Sequence, residues 1–147
     1  MKTTQLRAWT VEEYHRMIEA GILTTEDQVE LLEGQIVQMS PQKSPHAATT
    51  HKASDVLQKI LAETALIRTQ FPITLLPDSE PEPDIVVVRP DPRYYLERHP
   101  DAGDILLLIE VSDSTLDYDR RCKAGVYARV GIADYWILVQ GVTDKAT

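Results

Sequence analysis

Asp84-Ile-Val-Val-Val88 and Asp104-Ile-Leu-Leu-Leu-Ile-Glu-Val-Ser112 are the two stretches on which the fold turns. Both are short, apolar and rich in aliphatic or β-branched side chains, the composition of central strands covered on both faces by helices. Residues 89–103 between them hold Tyr94, Tyr95 and three prolines. That is too long for a hairpin loop and predicts a short helix. Downstream, Leu116 to Val130 reads as a helix with Tyr118, Cys122, Val126 and Val130 as its apolar face and Gly131 as the residue that ends it. Asp134-Tyr-Trp-Ile-Leu-Val139 closes with another strand. Upstream, Pro77 to Pro83 is a loop rich in proline and acid, and Ala65 to Leu76 a strand that Pro72 marks as an edge or a bulge. Ser44-Pro45 opens the longest helix as cap and first-turn proline, with Ala53, Val56, Leu57, Ile60 and Leu61 as its stripe. Glu33-Gly34 joins the runs on either side in a tight hairpin. Thr10 and Glu13 form a capping box for a helix that stops near Gly21, with Trp9 stapled onto Tyr14. The order helix, hairpin, helix, strand, two central strands, helix, strand predicts an α/β (α+β) domain with a mixed β-sheet flanked by helices. Ligands bind such sheets near strand ends.

The chain's 147 residues, 43% apolar, suit one domain. The longest apolar runs fall far short of the roughly 20 residues of a membrane-spanning helix. The expected address is cytoplasmic, since Met1 to Trp9 has no apolar core of a signal peptide. Cys122 is the sole cysteine, which excludes an intrachain disulfide and a cysteine-built zinc site. A net charge of −8 runs against nucleic-acid binding, whose affinity comes largely from Lys and Arg on phosphates. Carboxylates gathered around a cation are neutralised by it, which weakens that objection. Lys43, His51 and Lys52 in one stretch, and Arg89, Arg93, Arg120 and Arg121 near the central strands, are the expected sources of local positive potential.

Glu110 carries the most information. It shares a strand face with Leu106 and Leu108 and stands between Ile109 and Val111. A buried, unpaired carboxylate costs several kcal/mol, so Glu110 must be protonated, paired or bound to a cation. The mild alternative is a position at the wet end of the strand, or a pairing with a lysine. Asp84 begins the other buried strand after Pro83, so neighbouring strands would bring the two acids together. Carboxylates that close repel unless a cation lies between them, and oxygen donors point to Mg²⁺ or Mn²⁺. For Lys123 the spacing alone favours an exposed partner of Asp119, one turn earlier, and Glu30 reads as a solvated strand residue.

Glu30-Leu-Leu-Glu-Gly34, Ser44-Pro-His46, Pro81-Glu-Pro-Asp84-Ile-Val-Val, Ile109-Glu-Val-Ser-Asp-Ser114, Tyr118-Asp-Arg, Lys123 with Tyr127-Ala-Arg, and Gly131-Ile-Ala-Asp-Tyr-Trp136 come in a specific order. Together they resemble the Uma-type restriction endonuclease family of bacterial proteins, within the PD-(D/E)XK nuclease superfamily, across Trp9 to Val139. The resemblance implies a restriction-endonuclease-like fold and a DNA endonuclease. Its metal is implied to be Mg²⁺ (or Mn²⁺), held by Asp84, Glu110 and the Val111 carbonyl. Lys123 would assist the water, Glu30 would be an accessory carboxylate, and His46 and Tyr127 would meet the substrate. Ser112 stands where the superfamily pattern has its lysine, so the resemblance implies a lysine moved to the following helix. It also implies further strands after Val139, hence one domain over residues 1–147, shortened at its C-terminal end. Cutting two strands implies a homodimer. Two other readings share these residues: a non-catalytic protein that kept the fold and works by protein contacts, and a phosphodiesterase of RNA or nucleotides. A serine hydrolase on Ser112 or Ser114 lacks the Gly-x-Ser-x-Gly elbow.

Overall fold

The computed structural model describes residues 3–113 and 118–140, and the side chains of 118–120 lie outside that description. Within it, α1 (Val11–Glu19) is followed by the hairpin β1 (Val29–Leu32) and β2 (Gln35–Gln38), α2 (Ser44–Leu61), β3 (Leu66–Thr69), β4 (Ile85–Val88), β5 (Ile105–Ser112), α3 (Tyr118–Arg129) and β6 (Tyr135–Val139). The larger sheet has the order β3-β4-β5-β6. Its first two pairings are antiparallel and β5 with β6 is parallel, so the sheet is mixed as expected, with β4 and β5 at its centre. A parallel neighbour needs a crossover, and α3 supplies it, which lays that helix over the C-terminal half of β5.

Local chemistry explains the termini. Thr10 Oγ1 accepts from the Glu13 N–H at 3.1 Å while Glu13 Oε1 accepts from the Thr10 N–H at 3.0 Å, the reciprocal box that starts α1. Glu33 and Gly34 have φ of 48° and 81°, and a two-residue hairpin turn with positive φ at both positions matches the twist of its strands. The hairpin docks by its backbone: Trp9 N–H reaches Gly34 O at 2.8 Å, Gly34 N–H reaches Asp78 O at 2.7 Å, and Glu80 N–H reaches Leu31 O at 2.7 Å. Val11, Tyr14 and Leu31, with Trp9 and Leu23 packed on them, glue α1 to the hairpin. The main core lies between sheet and α3 and contains Val86, Val88, Leu108, Val126 and Tyr127.

Several expectations need correction. Lys43, with extended backbone and its carbonyl accepting from Ala47 N–H, caps α2, so Ser44 is already helical. Of the stripe expected along α2, Ala53, Leu57 and Leu61 are half-buried and Val56 and Ile60 are exposed, because one line of residues four apart meets the sheet and the other does not. The strand over 65–76 ends at Thr69, where Gln70 turns with φ of 58°. The segment 89–103 has turns, and a single 3₁₀ turn at its end, Ala102–Asp104. On α3 Cys122 is exposed, and Lys123, Val126 and Tyr127 are the buried positions; Tyr118 and residues 114–117 fall outside what is described. Arg89 and Arg93 lie past the end of β4 remote from Asp84, Arg89 donating to Gly103 O and Arg93 pairing with Glu97.

The hairpin turn is sterically demanding. A Cβ on Gly34 would lie 2.8 Å from Ala8 Cβ and 3.0 Å from Ala8 Cα, whereas one on Gly131 (φ +80°) would meet nothing within 4 Å. Gly34→Ala is therefore expected to cost about 1–3 kcal/mol in urea unfolding and Gly131→Ala less; equal losses would show that the Ala8 contact yields freely.

Candidate active site

The register of β4 and β5 pairs Ile85 with Ile109 and Val86 with Leu108. One further step puts Asp84 opposite Glu110, and because side chains alternate, both acids share the sheet face that carries Val86, Leu108 and α3. The two are bound together through the backbone. Asp84 Oδ2 accepts from the Val111 N–H at 2.7 Å, and Glu110 Oε2 lies 3.4 Å from the Asp84 N–H. Both are buried, Asp84 at 2% and Glu110 at 0% exposure. The mild alternative of a wet strand end therefore does not hold for Glu110. Leu108 N–H and Ser112 O bond on the β6 side, at Asp134 and Gln140, so by alternation the Val111 N–H and carbonyl face the β4 side, beside Asp84.

Lys123 departs furthest from its spacing-based reading. It is 3% exposed, with Nζ 3.0 Å from Glu30 Oε1 and 3.2 Å from Glu110 Oε1. Glu30 is likewise buried, projecting from β1 to join a site whose other members come from β4, β5 and α3. Tyr127, one helical turn after Lys123, donates its hydroxyl to Glu110 Oε1 at 2.8 Å. Burial, together with the Glu110 charge, pushes that hydroxyl well above the usual tyrosine range, so it remains a donor. On the other side His46, in the first turn of α2, places Nε2 3.2 Å from Asp84 Oδ2, and Gln42 Nε2 lies 3.4 Å from Oδ1.

A cavity of about 710 Å³ opens over this cluster, with Asp84, Lys123, Glu30, Glu82 and Arg121 among its lining. Glu82 has no role in the sequence reading. Its N–H points to Glu30 Oε1 at 3.4 Å, and burial followed by the Glu30 charge raises its carboxyl above the usual range. The signal available for it was an acid bracketed by Pro81 and Pro83 on the way into a buried strand. Gln42 sits in a loop with no pattern to single it out.

Among the described residues Glu30, Glu82, Asp84 and Glu110 bring four carboxyl groups toward the Lys123 ammonium, a donor set of the oxygen type that divalent cations take. Among the described residues no group of three or more His, Cys, Asp or Glu side chains gathers as a ligand cluster. The oxygen donors present still fit Mg²⁺ or Mn²⁺, since Mg²⁺ keeps several waters and takes only one or two carboxylates from a protein. Lys123→Met would strand two buried carboxylates and is expected to cost about 3–5 kcal/mol in urea unfolding, the loss on removing one partner of a buried pair. Adding Glu110→Gln should recover part of it; a Lys123→Met chain as stable as the parent would show the ammonium to be solvated.

Comparison with known proteins follows the geometry. The sequence model of the Uma2 family, described as "Putative restriction endonuclease", matches residues 11–141. A crystal structure described as a "putative nuclease belonging to DUF820" from Anabaena variabilis aligns with a TM-score of 0.61 at 19% identity, covering 87% of this chain and 72% of that one. At that identity the likeness speaks for the fold alone, a mixed sheet with helices packed on it. Among curated proteins none matches significantly, and among the described residues no helix is long and apolar enough to cross a membrane. With its match spanning most of its length, the chain belongs to the Uma2 family of restriction-endonuclease-like proteins.

Proposed function

We propose that this chain is a metal-dependent endonuclease that hydrolyses DNA phosphodiester bonds, working as a single domain over residues 1–147. The observation that carries the reading is the convergence of Asp84 and Glu110 on one sheet face, with the Lys123 ammonium 3.2 Å from Glu110, beneath an open cavity. Asp84, Glu110 and the Val111 carbonyl are the groups that would hold Mg²⁺ or Mn²⁺, which when bound supplies Lewis acidity at the phosphate and a water of lowered pKa. Lys123 orients the attacking water and offsets the charge that develops on the phosphate during in-line attack. Glu30 fixes the Lys123 ammonium in place through their 3.0 Å ion pair. His46 stands in the first turn of α2, the end of a helix whose dipole favours anions, and takes the phosphate contact. The products are a 5′-phosphate and a 3′-hydroxyl. Two copies cut both strands, in a cytoplasmic setting.

The net charge of −8 and the serine at position 112 favour the other reading, a fold retained for protein contacts. A plasmid-nicking assay separates them. Nicking should require Mg²⁺ or Mn²⁺, stop with EDTA, and fall by on the order of a thousandfold in Asp84→Ala, the several kcal/mol of charge stabilisation a metal provides. Parallel reactions on RNA and on small phosphodiesters should be slower than on DNA; faster RNA cleavage would replace the substrate while keeping the roles. Nicking that survives both EDTA and Asp84→Ala, or no cleavage of any of these substrates, would overturn the enzyme reading.

A further inference from the structure

Tyr127 is 1% exposed, and its ring packs on Tyr135 with centroids 5.2 Å apart. A side chain so enclosed has no face to offer a substrate in the cavity, which corrects the substrate contact expected of it. Its hydroxyl and the Lys123 ammonium, one turn apart on α3, both meet the same oxygen of Glu110: Oε1 lies 2.8 Å from Tyr127 Oη and 3.2 Å from Lys123 Nζ. The second oxygen, Oε2, is the one that lies on the Asp84 side, 3.4 Å from the Asp84 N–H. The carboxylate is therefore gripped at one oxygen from the helix and aimed with the other toward its partner acid. Two donors at Oε1 define the torsion of the carboxylate plane, whereas Lys123 alone, at the end of a flexible stem and shared with Glu30, defines it poorly.

We propose that Tyr127 is a positioning residue for the metal centre: its hydroxyl fixes the Glu110 carboxylate so that Oε2 faces Asp84 and the two acids are ready to receive a divalent cation. The inference rests on the metal-site reading above and adds to it which oxygen is anchored and by what. Groups that orient a metal-binding carboxylate act through the ligand's geometry, and their removal weakens metal affinity without removing any ligand.

Mn²⁺ binding by isothermal calorimetry tests this in the intact chain, alongside thermal unfolding. Tyr127→Phe keeps the ring and its packing on Tyr135 and deletes the one hydroxyl; it is expected to bind Mn²⁺ about tenfold more weakly than the parent. Val88→Ala is the control, since Val88 is fully buried in the same core cluster but lies at the end of β4 away from Asp84 and outside the cavity lining. It should lower the melting temperature and leave Mn²⁺ affinity unchanged. Tyr127→Phe with parental Mn²⁺ affinity would overturn the inference and leave the metal site standing. Equal weakening in Tyr127→Phe and Val88→Ala would also overturn it, by tracing the effect to a loosened core. A parent chain that binds no Mn²⁺ would overturn the metal-site reading and this inference together, a result distinct from failure of Tyr127→Phe alone.

Discussion

The ammonium of Lys123, shut between Glu30 and Glu110, is the constraint on which the rest of the structure depends. Taking a lysine and two carboxylates out of water costs several kcal/mol per ion, and the attraction among them repays this only with good geometry. Apolar residues of similar volume would hold α3 to the sheet at least as well. The inward face of α3 nonetheless carries Lys123 and Tyr127 where a packing helix would carry leucines. The same ammonium joins three pieces of the fold, since Glu30 belongs to the hairpin, Glu110 to the sheet and Lys123 to the helix.

What could be read in the chain divides along the same line. The capping box of α1, the Glu33-Gly34 turn and the two buried strands were legible because each is written in a few adjacent residues whose chemistry allows little else. The cost of burying Glu110 among Ile109, Val111 and Leu108 was legible too, and once β4 and β5 were taken as neighbours Asp84 followed. On the expected face of α3, Val126 is buried and Val130 packs on the core, but Cys122 does not, for a physical reason. Apolar periodicity finds a helix's buried side only when that side is apolar, and here Cys122 looks inward by hydropathy and is exposed, while Lys123 looks outward and is buried. Glu30 failed in the same way: a carboxylate on a short strand reads as wet unless its cation is known, and that cation lies far along the chain.

Charge needs the three-dimensional arrangement to be understood. Many of the arginines are engaged away from the cavity: Arg16 with Glu12, Arg93 with Glu97, Arg98 with Asp104, and Arg68 beside the rings of Phe71 and Tyr95. Arg121 lines the cavity itself. Among the described residues the lining sets Glu30, Glu33, Glu82 and Asp84 against Arg121, Lys123 and Arg129, a nearly balanced set whose exposed members salt would screen.

The crossover between β5 and β6 has one more consequence, in the order of events. The acids arrive on strands that pair directly, and that pairing completes as soon as β5 lies against β4. The ammonium comes later in the chain, on a connection that must fold back over the finished strands. A partly folded or still-growing chain thus holds two acids with no lysine beside them, and becomes the full constellation only when α3 settles.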